Sequence, residues 1–312
     1  MTEILRTWLD HFSPQAQAAI IAAIVGLATG LVGPAAKHWL DRWSLRHRLQ
    51  TEHEYSERKK LRELISRFHG RVLEAAESLN HRLWNLQKNQ SEGWLNLDGD
   101  YAAVGNAYYF RTTIHRLLSL LISLKQFQEE AIYIDARIAE KKDLLFLQYA
   151  KALEWVITDV ALFEGLYYDA NHSTDHMFKG HIRVACEVCT APGVPLSLGE
   201  FERRLRNGDF THELKPLYLF FDGLAADGSL RWSRIVSFHL LLCAFINAFG
   251  YQMQKTTRKQ FHQLAATIPH PEVIQNLGGW LKKLGIHRDP GGKTVSRVTR
   301  KEGKRKDKTK TA

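Results

Sequence analysis

His176, His181, Cys186 and Cys189 lie within fourteen residues of one another and are side-chain types that ligate a transition metal. Zinc takes thiolate and imidazole ligands in a tetrahedral site, and the C-x-x-C spacing lets two thiolates chelate one ion. Two of His172, His176 and His181 would have to complete the set. Structural zinc modules hold their ligand pairs about a dozen residues apart, and this spacing is shorter. The cysteines also fall in a helix-forming stretch. Two packed thiols on a helix is therefore the competing reading, with a redox pair as a third.

No other chemistry is marked. The chain contains no G-x-x-x-x-G-K-[ST], no H-E-x-x-H, no G-x-S-x-G and no dinucleotide-binding glycine pattern. Asp135, Asp143, Glu154, Asp159 and Glu164 sit on amphipathic stretches, where carboxylates are usually solvated or ion-paired. Glu-x-x-His pairs of the di-iron type are absent. The sequence leans away from an enzyme and, apart from zinc at the His/Cys cluster, implies no cofactor.

The 312 residues are 45% apolar and 24% charged, a globular composition that excludes a chain disordered throughout, a collagen-like repeat and a polytopic membrane protein. Three cysteines cannot form a disulfide framework and suit a reducing compartment. The net charge of +10 is unevenly placed: residues 281–312 hold twelve Lys or Arg against three acids, whereas the other 280 residues hold 31 against 30. With almost no large apolar side chains, residues 287–312 are expected to be a disordered basic tail. Lys301, Lys304, Arg305, Lys306, Lys308 and Lys310 would meet an anionic partner, either lipid headgroups or nucleic acid. A plain solubilising tail is the alternative. No aromatic follows Trp280 to stack on bases.

Residues 11–36 contain no Asp, Glu, Lys or Arg. As a helix such a run measures about 39 Å, against a hydrocarbon core of about 30 Å. Residues 13–38 are thus expected to be a transmembrane anchor after a short amino-terminal segment, 1–12. The segment is rich in Ala and Gly, so insertion would be marginal; a signal peptide and a buried core helix are the alternatives. Trp39 and Trp43 follow at the depth where indoles favour the headgroup layer, and Lys37, Arg42, Arg46 and Arg48 outnumber Asp41. That bias places the amino terminus outside and the body in the cytoplasm of a single-pass protein. Ala18, Ala22, Gly26 and Gly30 repeat every four residues, a small-residue face that lets helices approach and implies a homo-oligomer.

Leu61, Ile65, Phe68, Val72, Ala75, Leu79, Leu83 and Leu86 form one apolar stripe, expected to be a helical stalk within 39–90 that packs on its own copies, as in a coiled coil, or on the body. Residues 91–286 read as a helical domain. A loop over 87–105 precedes a helix from Tyr108, which a second helix over 127–140 would continue. A helix of about 25 residues through Leu145 to Tyr167 follows. The break at 191–195 leads to a capping box at Ser197. The uncharged run Ile235 to Gln254 reads as a buried central helix rather than a second span, because His239, Asn247, Gln252 and Gln254 lie inside it. The fold class is all-α. The functional expectation is a membrane-anchored interaction or sensor/effector protein that self-associates. The rivals are a nucleic-acid-binding adaptor acting through the tail and a zinc or redox enzyme.

Overall fold

A computed structural model describes residues 12–169, 175–226 and 228–310, without the side chains at 28, 31–35, 136 and 304–310. The expected segment 1–12 therefore lies almost wholly outside the described residues, as does His172. The protein is all-α, with two paired strands of two residues each as its only sheet among the described residues. It divides into two compact units, Met1–Lys59 and Lys60–Ala312.

The first helix, α1 (Pro14–Lys88), runs through both the expected anchor and the expected stalk. In the first unit its large apolar side chains are exposed: Ile21, Ile24, Val25, Leu27, Leu45 and Leu49 are each at least 50% accessible. In the second unit the picture reverses. Leu61, Phe68, Val72, Leu79, Leu83 and Leu86 are buried in the main core. Residues 60–88, the greater part of the expected stalk's apolar stripe, thus fall in the second unit. The reason is the partner the stripe finds: Phe68 meets Phe127 edge-on at 5.9 Å, inside one shared apolar cluster.

Helix α2 (Tyr108–Ala131) begins where its apolar period begins. The second helix expected over 127–140 does not form as such: α2 ends at Ala131, and a single 3-10 turn, Ala136–Ile138, follows. Helix α3 (Lys141–Thr158) stops earlier than its period suggests. Asp159 accepts a hydrogen bond from the Ala161 amide at 2.8 Å and opens a 3-10 turn, Val160–Phe163. Buried Arg234 donates to the carbonyls of Val156 (2.7 Å) and Asp159 (2.9 Å), satisfying helix-end acceptors that would otherwise be orphaned.

Helix α4 (Lys179–Val188) leads into the hairpin of β1 (Thr190–Ala191) and β2 (Val194–Pro195). Gly193 turns it at φ +72, a conformation that needs no Cβ. Ser197 caps α5 (Leu198–Arg206) by accepting from the Glu200 amide, as the sequence predicts. Helix α6 (Lys215–Phe221) precedes α7 (Leu230–Phe249), whose residues 232–246 are all buried. Among the described residues α7 is the one helix long and apolar enough to cross a membrane, yet 83% of its apolar window is buried inside the protein. It is the central core helix. Phe146, Tyr149, Phe245 and Phe249 meet around it edge to face at 5.1–6.0 Å, the preferred geometry for aromatic quadrupoles.

Helices α8 (Arg258–Ala266), α9 (Pro271–Lys283) and α10 (Pro290–Lys310) complete the bundle. Over residues 290–303 helix α10 is packed where a disordered tail is expected over 287–312. Val295 and Val298 are fully buried, Thr299 and Glu302 nearly so. Asp289 caps the helix start, accepting from the amides of Gly291 (2.9 Å) and Gly292 (3.3 Å) and from the Tyr149 hydroxyl (3.1 Å). A Cβ on Gly291 would meet Ala244 O at 2.7 Å, and one on Gly292 would collide with Ile286 O. The segment packs through small residues at close range rather than through large apolar ones. That is why a scan for large hydrophobics passes over it.

Candidate functional site

Within the expected anchor, Pro14–Leu27 form an apolar helical stretch, and the helix continues beyond it. Ala18, Ala22, Gly26 and Gly30 are exposed along it, and a Cβ added at Gly26 or Gly30 would meet nothing within 4 Å. The Thr29 hydroxyl is satisfied within the helix, donating to Val25 O at 2.7 Å. At 100° per residue, Ile20, Ile21, Ile24, Val25 and Leu27 share one arc of the helix, and the small residues occupy the other. Lys37, Trp39, Arg42, Trp43 and Arg46 are likewise exposed, the indoles at 67% and 57%.

The four candidate metal ligands do not come together in one site. Among the described residues no group of three or more His, Cys, Asp or Glu side chains is placed to hold a metal ion. Cys186 turns with Ile182 and Ala185 toward the core, and Cys189 at the helix end is buried as well. Burial pushes both thiols up to about 12, so they remain protonated and poorly nucleophilic. His176 is buried, its Nδ1 bonded to the Tyr168 hydroxyl. Burial and then Arg234 and His181 lower its pKa to about 4. His181 is exposed on α4 and contacts the edge of Phe178 at 5.4 Å. The geometry is that of two thiols packed in a core.

Of the cations expected to meet an anionic partner, Lys301 is exposed, as are Lys293, Arg297 and Arg300 on the same helix. The side chains of Lys304, Arg305, Lys306, Lys308 and Lys310 lie outside the described residues. The basic residues of this segment that are described occupy the solvent face of a packed helix rather than a free chain.

Sequence reasoning passes over one concavity. A cleft of about 590 Å³ opens where α1, the start of α3 and the end of α7 meet, with Arg62, Glu140, Lys142 and Asp143 on its wall. These residues are separated by up to 81 positions in sequence and carry no spacing motif, so only the fold brings them together. In comparisons with protein families, curated proteins and solved structures, nothing matches this chain, and its function has to be argued from its own residues.

Proposed function

We propose that the protein is a membrane-anchored helical interaction or sensor/effector protein. Residues 13–38 enter the bilayer, Trp39 and Trp43 sit at its surface, and the helical body lies on the cytoplasmic side. The observation that carries this reading is the exposure of Ile21, Ile24, Val25 and Leu27, each 50–63% accessible, within 26 uncharged residues. Large apolar side chains left in water in such a row call for a covering phase, and a lipid core covers every side of a helix at once. The cations at 37, 42, 46 and 48 support the orientation. The small-residue face of Ala18, Ala22, Gly26 and Gly30 supports self-association.

Fractionation of the full chain and of a chain starting at Glu52, each with carbonate wash and protease protection, tests the reading. Only the full chain should resist extraction, and its body should be digestible from the cytoplasmic side. If both remain soluble, the anchor is refuted.

The exposed cations of α10 favour a second reading, in which the helix meets anionic lipid or nucleic acid. It requires steeply salt-dependent binding that vanishes when Lys293, Arg297, Arg300 and Lys301 are changed to Glu. Truncation is unsuitable as its test, because it would remove core residues of the bundle.

A further inference from the structure

Two arginines meet between α1 and α2 without a carboxylate. Arg82 on α1 reaches across to α2, its Nη2 donating to the Thr112 hydroxyl at 2.9 Å, and Arg116 on α2 reaches back, its Nη1 donating to the Ser78 carbonyl at 2.9 Å. Residues 78 and 82, like 112 and 116, are about one turn apart, so the two side chains cross the same strip of the helix interface in opposite directions. Their charges act on each other: burial and then Arg82 lower the Arg116 pKa.

Arg82 is 5% exposed, and a charge that far from water is ordinarily paired with an opposite one. Neither arginine forms an ion pair among the described residues. No Asp or Glu occurs in residues 78–91 or 101–128, and Glu202, the carboxylate that reaches the start of α2, is taken by Arg111 at 2.9 Å. Tyr109 stacks on Arg82, its ring centroid 3.8 Å from the guanidinium carbon. Stacking uses the face of the guanidinium and leaves the N–H groups at its edge still to be matched. Of those on Arg82, Nη2 is bonded and Nε is enclosed by the protein, closed to any ligand, whereas Nη1 is neither bonded nor enclosed. On half-buried Arg116 only Nη1 is bonded, and Nε and Nη2 are likewise not enclosed.

We propose that Arg82 and Arg116 form a binding site for a phosphate monoester, whose terminal oxygens accept from Arg82 Nη1 and from the open edge of Arg116 together. Two fixed cations call for about two negative charges, and a phosphate monoester carries about −1.5 to −2 near pH 7, where a carboxylate carries one. The guanidinium fork matches phosphate oxygens in geometry as well as charge. Exposed Tyr108, with its ring centroid 5.9 Å from the Arg82 guanidinium carbon, borders the site with an aromatic face for the esterified group. The inference is independent of the anchor, because both arginines belong to the second unit.

Calorimetric titration and thermal unfolding of the full chain in non-ionic detergent and phosphate-free buffer provide the test, with inorganic phosphate, AMP and dihexanoyl phosphatidic acid as probes and acetate as the singly charged control. At least one phosphate probe should bind and raise the melting temperature, and acetate should bind at least about tenfold more weakly. Tightest binding of AMP identifies a nucleotide as the source of the group, tightest binding of the phosphatidic acid identifies a lipid headgroup, and equal binding of all three assigns recognition to the phosphate alone. Arg116→Gln should weaken the best probe at least about tenfold, while its melting temperature without ligand stays equal or rises because one of two like charges is gone. Arg82→Gln supplies a second variant with the same expected loss. Arg67→Gln, about 22 Å away along α1 and paired with Glu130 in the parent chain, should bind like the parent. The proposal is overturned if no phosphate probe binds, if acetate binds as tightly as the phosphates, or if Arg116→Gln binds no more weakly than Arg67→Gln.

Discussion

His239 Nε2 lies 2.9 Å from Asn80 Oδ1, and Cys243 Sγ, one turn further along α7, lies 3.3 Å from the same oxygen. The imidazole N–H donates to the amide oxygen, tying the central helix to α1, and Trp84 closes the pocket edge-on at 4.8 Å. Burial lowers the His239 pKa to about 3. Folding thus favours neutral imidazole, whereas the unfolded chain protonates near pH 6.5. The stabilisation is complete above that pH and is lost as pH falls toward the folded value, with a slope of up to about 1.4 kcal/mol per pH unit. His176, held near 4, acts in the same direction. The urea midpoint should fall between pH 6.5 and 5, above the range where ordinary carboxylates titrate. His239→Gln, which cannot gain the charge, should fall less steeply. Equal slopes for the variant and the parent chain would refute the assignment.

The carboxy-terminal helix should be required for folding. Chains ending after Asp289 lose Val295 and Val298, both fully buried, and should unfold or melt far below the full chain. Chains ending after Gly303 should melt close to it. Val298→Asp places an unpaired charge in the core and should cost roughly 3–5 kcal/mol, whereas Glu at the exposed positions 297 and 300 should cost little. Circular dichroism melts of these four chains decide the matter.

This helix also marks where the sequence stops being legible. The stripes through Leu61–Leu86 and Ile114–Leu124 and the run after Leu230 are readable because large apolar side chains repeat at helical spacing. Gly291, Gly292 and Thr299 approach Ala244, Ile286 and Gly278 closely, and Val295, Val298 and Glu302 at the same helical spacing are buried, so a high charge count hides a packed face. The C-x-x-C pair is visible in sequence, but whether other ligands converge on it depends on which face of α4 turns inward. The cleft beside Asp143 has no sequence signal at all, since its walls come from residues far apart in the chain.

The cysteines should be inert in the folded protein. Burial pushes Cys186, Cys189 and Cys243 to about 12, so at pH 8 their thiolate fraction is roughly a thousandfold below that of an ordinary thiol. An aromatic disulfide reagent should label none of them before denaturation and all of them after it. Rapid native labelling of Cys186 or Cys189 would favour the metal and redox readings, and zinc analysis of protein purified without chelator would separate those two.

The proposed self-association through the anchor turns on which arc of α1 would face a second copy. Ala18, Ala22, Gly26 and Gly30 advance about 40° per step, forming the four-residue ridge along which helices pack closely. A Cβ added at Gly26 or Gly30 meets nothing within 4 Å, so Gly26→Leu with Gly30→Leu is compatible with the helix and probes an interface on that face. This double variant should shift the detergent-solubilised protein toward monomer by at least about tenfold in dissociation constant. Ile21→Ala with Ile24→Ala, on the opposite arc, should leave the oligomeric state unchanged while weakening insertion. If the leucine variant self-associates like the parent chain and the alanine variant does not, the bulky arc is the interface and the small-residue arc faces lipid.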